Sequence, residues 1–191
     1  GYFGVTYAGV EQATVLQNGT GNFETYTATG DGNSYGFNQD GDGNHINGLS
    51  TGDDNAVAVV QFHDDNIADF LQDGNDNDIG IFQQGHHNQA TANLTGNGNH
   101  AALGQYGNDN VGTVTFDGAD NIGVLLQALG DNNQAHLSAT GNDNILVSIQ
   151  GGGDGNVANV TATGSNNIAG AIQAIGGDNH SDITIGDTAT S

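Results

Sequence analysis

The stretch "QDGNDNDIGIFQQGHHN", residues 72–88, decides the fold. It writes Gln-x-Gly-x-x-Asn twice, at Gln72–Asn77 and Gln83–Asn88, eleven residues apart. Only "DIGIF", residues 78–82, separates the two copies. That is too short for a helix of ordinary length and right for one strand between turns. Working outward, the asparagine register continues in both directions. Asn22, Asn33, Asn44, Asn55, Asn66, Asn77, Asn88, Asn99, Asn110 and Asn121 are each eleven apart. Asn133, Asn144, Asn156, Asn167 and Asn179 follow at spacings of twelve, eleven, twelve, eleven and twelve. Gly stands three residues before Asn in fourteen of these fifteen cases, His63 being the exception. One further step back reaches Glu11, so the chain reads as sixteen strand-turn units. A polar chain with 33 glycines could be disordered, but disorder does not hold a register.

Side chains alternate along a strand, so Asn and the second, fourth and sixth residues after it share a face. The second is often Ala, as at Ala68, Ala90 and Ala158, and the fourth is usually apolar, as at Val59, Ile81, Leu103 and Leu125. The sixth is Gln in every other unit: Gln17, Gln39, Gln61, Gln83, Gln105, Gln127, Gln150 and Gln173. In the units between, it is Ala28, Ser50, Gln72, Leu94, Phe116, Ala139, Ala162 and Ile185. The true period is therefore two strands, 22 to 23 residues. The three extra residues all fall in turns after a Gln-ended strand, where they leave strand register untouched. The expected fold is all-β: a two-sheet β-solenoid of about eight stacked two-strand coils, its sheets about 10 Å apart. Residues 1–10 are expected as an arm or partial strand, 11–185 as the solenoid and 186–191 as a polar tail. Asn would stack on Asn and Gln on Gln, each amide donating and accepting. Gly before each Asn would supply the positive φ of a tight turn.

Composition excludes whole classes of function. The chain has 191 residues, no Lys or Arg, no Cys, Met, Trp or Pro, and 22 acidic side chains. Disulfide and thiol chemistry are excluded. Without cations, nucleic acid and anionic membranes are poor partners. No stretch approaches the roughly 20 apolar residues of a membrane helix. An opening Gly1 without a charged-then-apolar leader is expected of a processed product.

The repeat resembles that of the curlin family, Gln-x-Gly-x-x-Asn followed by x-Ala-x-x-x-Gln. It stands nearly whole in "QFHDDNIADFLQ" (61–72), "QQGHHNQATANL" (83–94) and "GNGNHAALGQYGNDN" (96–110), and the resemblance spans about residues 7–185. It implies a secreted structural subunit that polymerises into extracellular cross-β amyloid fibres of a bacterial biofilm matrix. Adhesion and cell aggregation would follow. Its partners would be itself, a nucleator subunit and outer-membrane secretion machinery. Three features depart from the family pattern. Asn opens both strands of each pair where the family usually opens one with Ser, Gln reliably ends only one strand, and Lys and Arg are absent. The departures leave open whether the chain is a major or a minor, nucleating subunit.

The residues themselves point the same way. Sheet edges at both ends of a solenoid are normally protected by Pro, Lys, bulges or caps, and here Pro and Lys are absent and no helical cap is visible. Uncapped, self-complementary ends predict head-to-tail polymerisation. The outer positions of the later Gln-ended strands turn apolar: Ile122, Val124, Leu126, Ile145, Val147, Ile149, Ile168 and Ile172. Such a patch is expected to be a lateral contact. Turn acids such as Asp53-Asp54, Asp64-Asp65 and Asp73 with Asp76 could bind Ca²⁺, or could simply be solvated turn formers. No cofactor is required. His86-His87 has no regular counterpart, and neither a phosphate loop nor a catalytic pairing of Ser, His or acids appears, so no enzyme is expected. A monomeric ice-binding or adhesive solenoid is the alternative, for which Thr25, Thr27, Thr113 and Thr115 form no continuous rank in sequence.

Overall fold

A computed structural model describes residues 2–186, with side chains from residue 13 onward. It contains fifteen β-strands and, among the described residues, no helix. The first two are long: β1 (Tyr2–Asn18) and β2 (Phe23–Asp40). Short strands follow as β3 (His45–Thr51), β4 (Ala56–Phe62), β5 (Ile67–Asp73), β6 (Asp78–Gln84), β7 (Gln89–Thr95) and β8 (His100–Tyr106). The remainder are β9 (Val111–Asp117), β10 (Ile122–Ala128), β11 (Gln134–Thr140), β12 (Ile145–Gly151), β13 (Val157–Thr163), β14 (Ile168–Gln173) and β15 (His180–Gly186). Residues 78–82, between the two copies in the opening stretch, lie in β6.

Every pairing is parallel, and from β2 and β3 onward each joins a strand to the one two places on, while the long β2 also pairs with β1 and β3. The even-numbered strands β4 to β14 form one rank, and β3 to β15 form the other. Both ranks start from β2, whose uninterrupted assignment links all fifteen strands into a single sheet. The result is a parallel β-solenoid of about eight turns. Register follows the Asn spacing: Gln61 lies beside Gln83, and Gln127 beside Gln150 across an inserted residue. The longer turns therefore absorb their extra residues without slipping a strand, as a period-two face requires. Of the segment read as an arm or partial strand, residues 2–10 lie in β1, whose Tyr2–Ala8 runs beside Phe23–Thr29 of β2, and Gly1 lies outside the described residues. Of the polar tail, residues 187–191 lie outside the described residues.

Within each rank the buried positions alternate with outer ones, which keeps Asn and the second, fourth and sixth residues inside. The two ranks meet across the core, where Tyr26 packs on Tyr35 and Phe37 with ring centroids 4.8 and 5.5 Å apart. Aromatic bulk is concentrated in the first coils. Toward the C-terminal end the core is filled by Ala158, Val160, Ala162, Ala169 and Ala171. Bulk is matched by absence: a Cβ on Gly123 would lie 2.4 Å from the Phe116 ring. That Gly takes the place usually held by Ala, and interior packing tolerates no excess there.

Candidate functional site: the assembly ladders

The turns position the ladders. Glycines at the third position before Asn adopt left-handed φ, for example +135° at Gly74 and +124° at Gly85. Stacking makes a second demand. A Cβ on Gly74 would sit 2.0 Å from the Gly96 carbonyl oxygen, and on Gly85 1.9 Å from that of Gly107. His63 fills the exceptional position at φ 70°. In two longer turns the third residue, Gly130 or Gly153, does not carry positive φ, and Leu129 and Gly152 take that conformation instead. The expectation for glycine thus fails at two of the three insertions, where the reversal moves one place upstream, and holds at the third, where Gly176 has φ 98°.

A second left-handed residue, just before Asn, was not expected. It is Asp54, Asp65, Asp76, His87, Asp109, Asp120, Asn132, Asp143, Asn166 or Asp178. Asp and Asn tolerate this conformation better than most residues, which accounts for much of the turn acidity.

The Asn ladder is more than amide on amide. Each Asn Oδ1 accepts the backbone N–H of the Asn one coil later at 2.9–3.1 Å, as from Asn44 to Asn22 and from Asn99 to Asn77. Where geometry permits, the later Nδ2 donates to the same oxygen, as from Asn88 to Asn66 at 3.0 Å. The other Nδ2 hydrogen reaches forward to the turn carbonyl of the next coil, as from Asn55 to Gly74 at 2.8 Å. One carbonyl therefore anchors Asn55 and excludes a side chain from Gly52. After two insertions the amide closes its own turn instead, Asn156 on Gly153 and Asn179 on Gly176. At Asn133, beside the first insertion, Nδ2 finds no partner. All the ladder Asn are buried except Asn167 and Asn179 at the C-terminal end, which are half-buried.

The Gln ladder is continuous. Nε2 of Gln17 donates to Oε1 of Gln39, and the chain runs on through Gln61, Gln83, Gln105, Gln127 and Gln150 to Gln173 at 2.7–3.0 Å. Each Nε2 from Gln39 onward also donates across the core to the first residue of a strand in the other rank, as Gln83 does to Ile67 O at 2.8 Å. Gln thus ties coil to coil and rank to rank. The bonds all point one way, from lower to higher number. Gln17 is left with a buried Oε1 that accepts nothing, while at the far end Gln173 Nε2 holds only Val157 O at 2.9 Å.

A third ladder escaped the sequence reading. The residue two before Asn offers a side-chain oxygen to the backbone N–H one coil earlier: Asp42 to Thr20 at 2.7 Å, Asp53 to Asp31, Asn75 to Asp53, Asn97 to Asn75. Its trace is the run of Asp, Asn and Ser at that position. The Thr20 amide and hydroxyl hold the Asp42 carboxyl below its ordinary range.

The equivalent end of the other rank has no such ladder. The Tyr26 hydroxyl bonds Ser50 at 2.9 Å and Ser50 bonds Gln72 at 2.6 Å, and then Leu94 and Phe116 take over as apolar filling. Glu24, at an inward position usually held by Ala, is fully buried with neither oxygen bonded. Burial pushes its carboxyl up to about 7. Asp78 and Asp182, on outward positions, are exposed instead. Among the described residues no three His, Asp or Glu side chains converge as a metal-binding group. His86, His87 and His100 instead stand singly beside Asp64, Asp65, Asp109 and Asp78 on the surface.

Residues 74–107 match the family model of the curlin associated repeat. Residues 74–107 carry a curlin repeat. The resemblance seen in "QQGHHNQATANL" is thereby borne out, and the same register runs through the strands on either side of the matched segment. Curlin repeats belong to structural subunits of secreted, extracellular fibres, not to an enzyme family. Among the described residues no helix is long and apolar enough to cross a membrane. No curated protein matches the chain.

Proposed function

We propose that this protein is a structural subunit that polymerises head to tail into curli-like amyloid fibres outside the cell. Its two ranks act as the facing sheets of a cross-β stack. One observation carries the reading: the Gln ladder ends in a buried, unused acceptor at Gln17 and a spare donor at Gln173. Placing one copy on another joins donor to acceptor and continues the ladder. Backbone edges agree. β14 and β15 end the two ranks at one pole, and β1 offers a Gln-ended and a non-Gln segment at the other. An orphaned buried amide costs about 1–3 kcal/mol, so each added copy relieves a standing penalty.

In this reading the fibres serve a biofilm matrix, adhesion and cell aggregation, and a nucleator subunit and a secretion pore are the partners the family implies. Electrostatics set the pace. Stacked turn acids repel by about 1 kcal/mol per adjacent pair in water before screening. Added salt or Ca²⁺ shortens the lag of assembly, and a Ca²⁺ effect beyond that of Mg²⁺ at equal ionic strength would assign the turn acids a specific cation site.

The test is incubation of purified protein with thioflavin binding and electron microscopy. Long fibres growing alone and in bulk support a major subunit, and growth only as short seeds for another chain supports a nucleator. A persistent monomer overturns the proposal. It would favour the monomeric ice-binding or adhesive reading, for which stacking does assemble hydroxyls that lie apart in sequence: Thr115, Ser138, Thr161 and Thr184 in adjoining strands.

A further inference from the structure

The outer face of the Gln-ended rank divides into two halves along the solenoid axis. Over β4, β6 and β8 the third residue of each strand is small, and Ala58, Gly80 and Ala102 with Gly104 floor a groove of about 390 Å³ that Val60, Phe82, Val124 and Leu126 flank. Over β10, β12 and β14 the outer residues are large: Val124, Leu126, Val147, Ile149, Ile168 and Ile172. Ile168 and Ile172 are 74% and 71% exposed, and Val124 40%. Leu126, Val147 and Ile149 are half-buried by their neighbours, so the ridge is continuous rather than a set of isolated side chains.

We infer that this face binds the same face of a second copy, antiparallel, with the ridge of each copy in the groove of the other. Three observations select that occupant. A two-fold axis between β8 and β10 sets Gly80 of one copy against Val147 of the other, Ala102 against Val124 and Gly104 against Leu126, so small meets large on both sides of the axis. A two-fold contact is self-complementary and closes on itself. The rows also repeat at the coil spacing of about 4.8 Å, a period that another copy of this chain matches along the whole interface. Charge points the same way. The chain carries a formal net charge of −22, yet on these outer positions from β4 onward the only acid is Asp78, which His100 Nδ1 contacts at 2.9 Å. The opposite face carries Asp69, Asp73, Asp117 and Asp182. Two copies can approach closely only where the acids are not.

This pairing uses a different surface from head-to-tail growth, so either can fail without the other. The chain has no Cys, which makes introduced thiols clean reporters. Gly80→Cys adds a side chain where nothing lies within 4 Å. Gly80 and Val147 are three coil steps apart in one chain, about 14 Å, which is beyond disulfide reach, so any bond between them is intermolecular. Gly80→Cys and Val147→Cys proteins are mixed in equal amounts and oxidised gently, once as fresh monomer and once as fibre. The opposite-face pair Thr91→Cys and Asn159→Cys serves as control. Expected is a mixed Gly80→Cys/Val147→Cys dimer at least fivefold above either homodimer and above the control. Homodimers as abundant as the mixed species would indicate parallel or random contact and overturn the inference, as would cross-linking no higher than the control. Independently, Val124→Thr with Val147→Thr and Ile149→Thr should leave single fibres intact and reduce bundles in micrographs. Unchanged bundling counts against the face.

Discussion

The two ranks have the same fold and the same turns but solve the inward sixth position differently. In the even-numbered rank it is Gln in every coil, joined end to end from Gln17 to Gln173. In the other it passes from Ser50 and Gln72 to Leu94, Phe116, Ala139 and Ala162. One amide ladder is enough to lock the coils in register, because each Gln also bonds a carbonyl of the opposite rank. The second rank is then free to fill volume. The outer faces differ in the reverse sense: the rank with the polar ladder is apolar outside, and the volume-filling rank carries Thr, Asn and Asp. The register ladder and the apolar outer face thus reside on one rank, and most of the outer acids on the other.

If that division is right, the turns should be indifferent to it. Gly74→Ala follows the volume-filling rank and Gly85→Ala the ladder rank, and both meet a stacked carbonyl near 2 Å. Left-handed strain and overpacking together predict about 2–5 kcal/mol of destabilisation for each. Denaturant unfolding of the monomer should give the same loss for both, and a large difference would mean that the ranks differ in more than their side chains.

The next prediction separates the ranks. Gln105→Leu takes the donor from Gln127 Oε1 and from the Gln89 carbonyl, removes one acceptor of Gln83 Nε2, and should cost about 2–4 kcal/mol. Phe116→Leu, at the equivalent position of the other rank, changes only volume and should cost about 1 kcal/mol. Equal losses would remove the distinction between ladder and filling.

A third prediction concerns Glu24, the one polar intrusion that the volume-filling rank leaves unpartnered on its inner face in the first coils. Its folded carboxyl titrates near 7, above its ordinary value of 4.5, so the folded state binds the proton more tightly. Stability should be highest below about pH 4.5 and fall as pH rises through 7. The loss above 7 is about 3 kcal/mol. Glu24→Gln should flatten this dependence between pH 5 and 8 and leave the protein more stable than wild type at pH 8. A wild-type curve flat over that window would contradict the burial. Acidification from neutral should also speed assembly, because a smaller net negative charge weakens the repulsion between copies.

Much of this was legible in the sequence because a stacked fold writes its spacing directly. The Asn and Gln positions, the period of two strands and the harmless insertions all follow from counting. What was not legible depends on which atoms meet between coils. The backbone bonds of the Asn side chains, the ladder two residues before Asn and the second left-handed turn residue are invisible until neighbouring coils are placed at contact distance. Glu24 was missed because a lone acid at an Ala position looks like noise in a repeat, whereas burial gives it a consequence. The fate of Gly130 and Gly153 was missed because a spacing of twelve says that a residue was inserted, but not which one turns left-handed.

The central claim is that growth occurs at ladder ends. Elongation of single fibres from wild-type seeds, followed by microscopy with wild-type, Gln17→Leu, Gln173→Leu and Gln105→Leu monomers, tests it most directly. Gln17 and Gln173 make the junction, so losing one bond of about 1.4 kcal/mol there should slow elongation about tenfold. Gln105 lies inside a copy and its loss should slow elongation far less, even though it destabilises the fold. Equal slowing at all three positions would contradict the account.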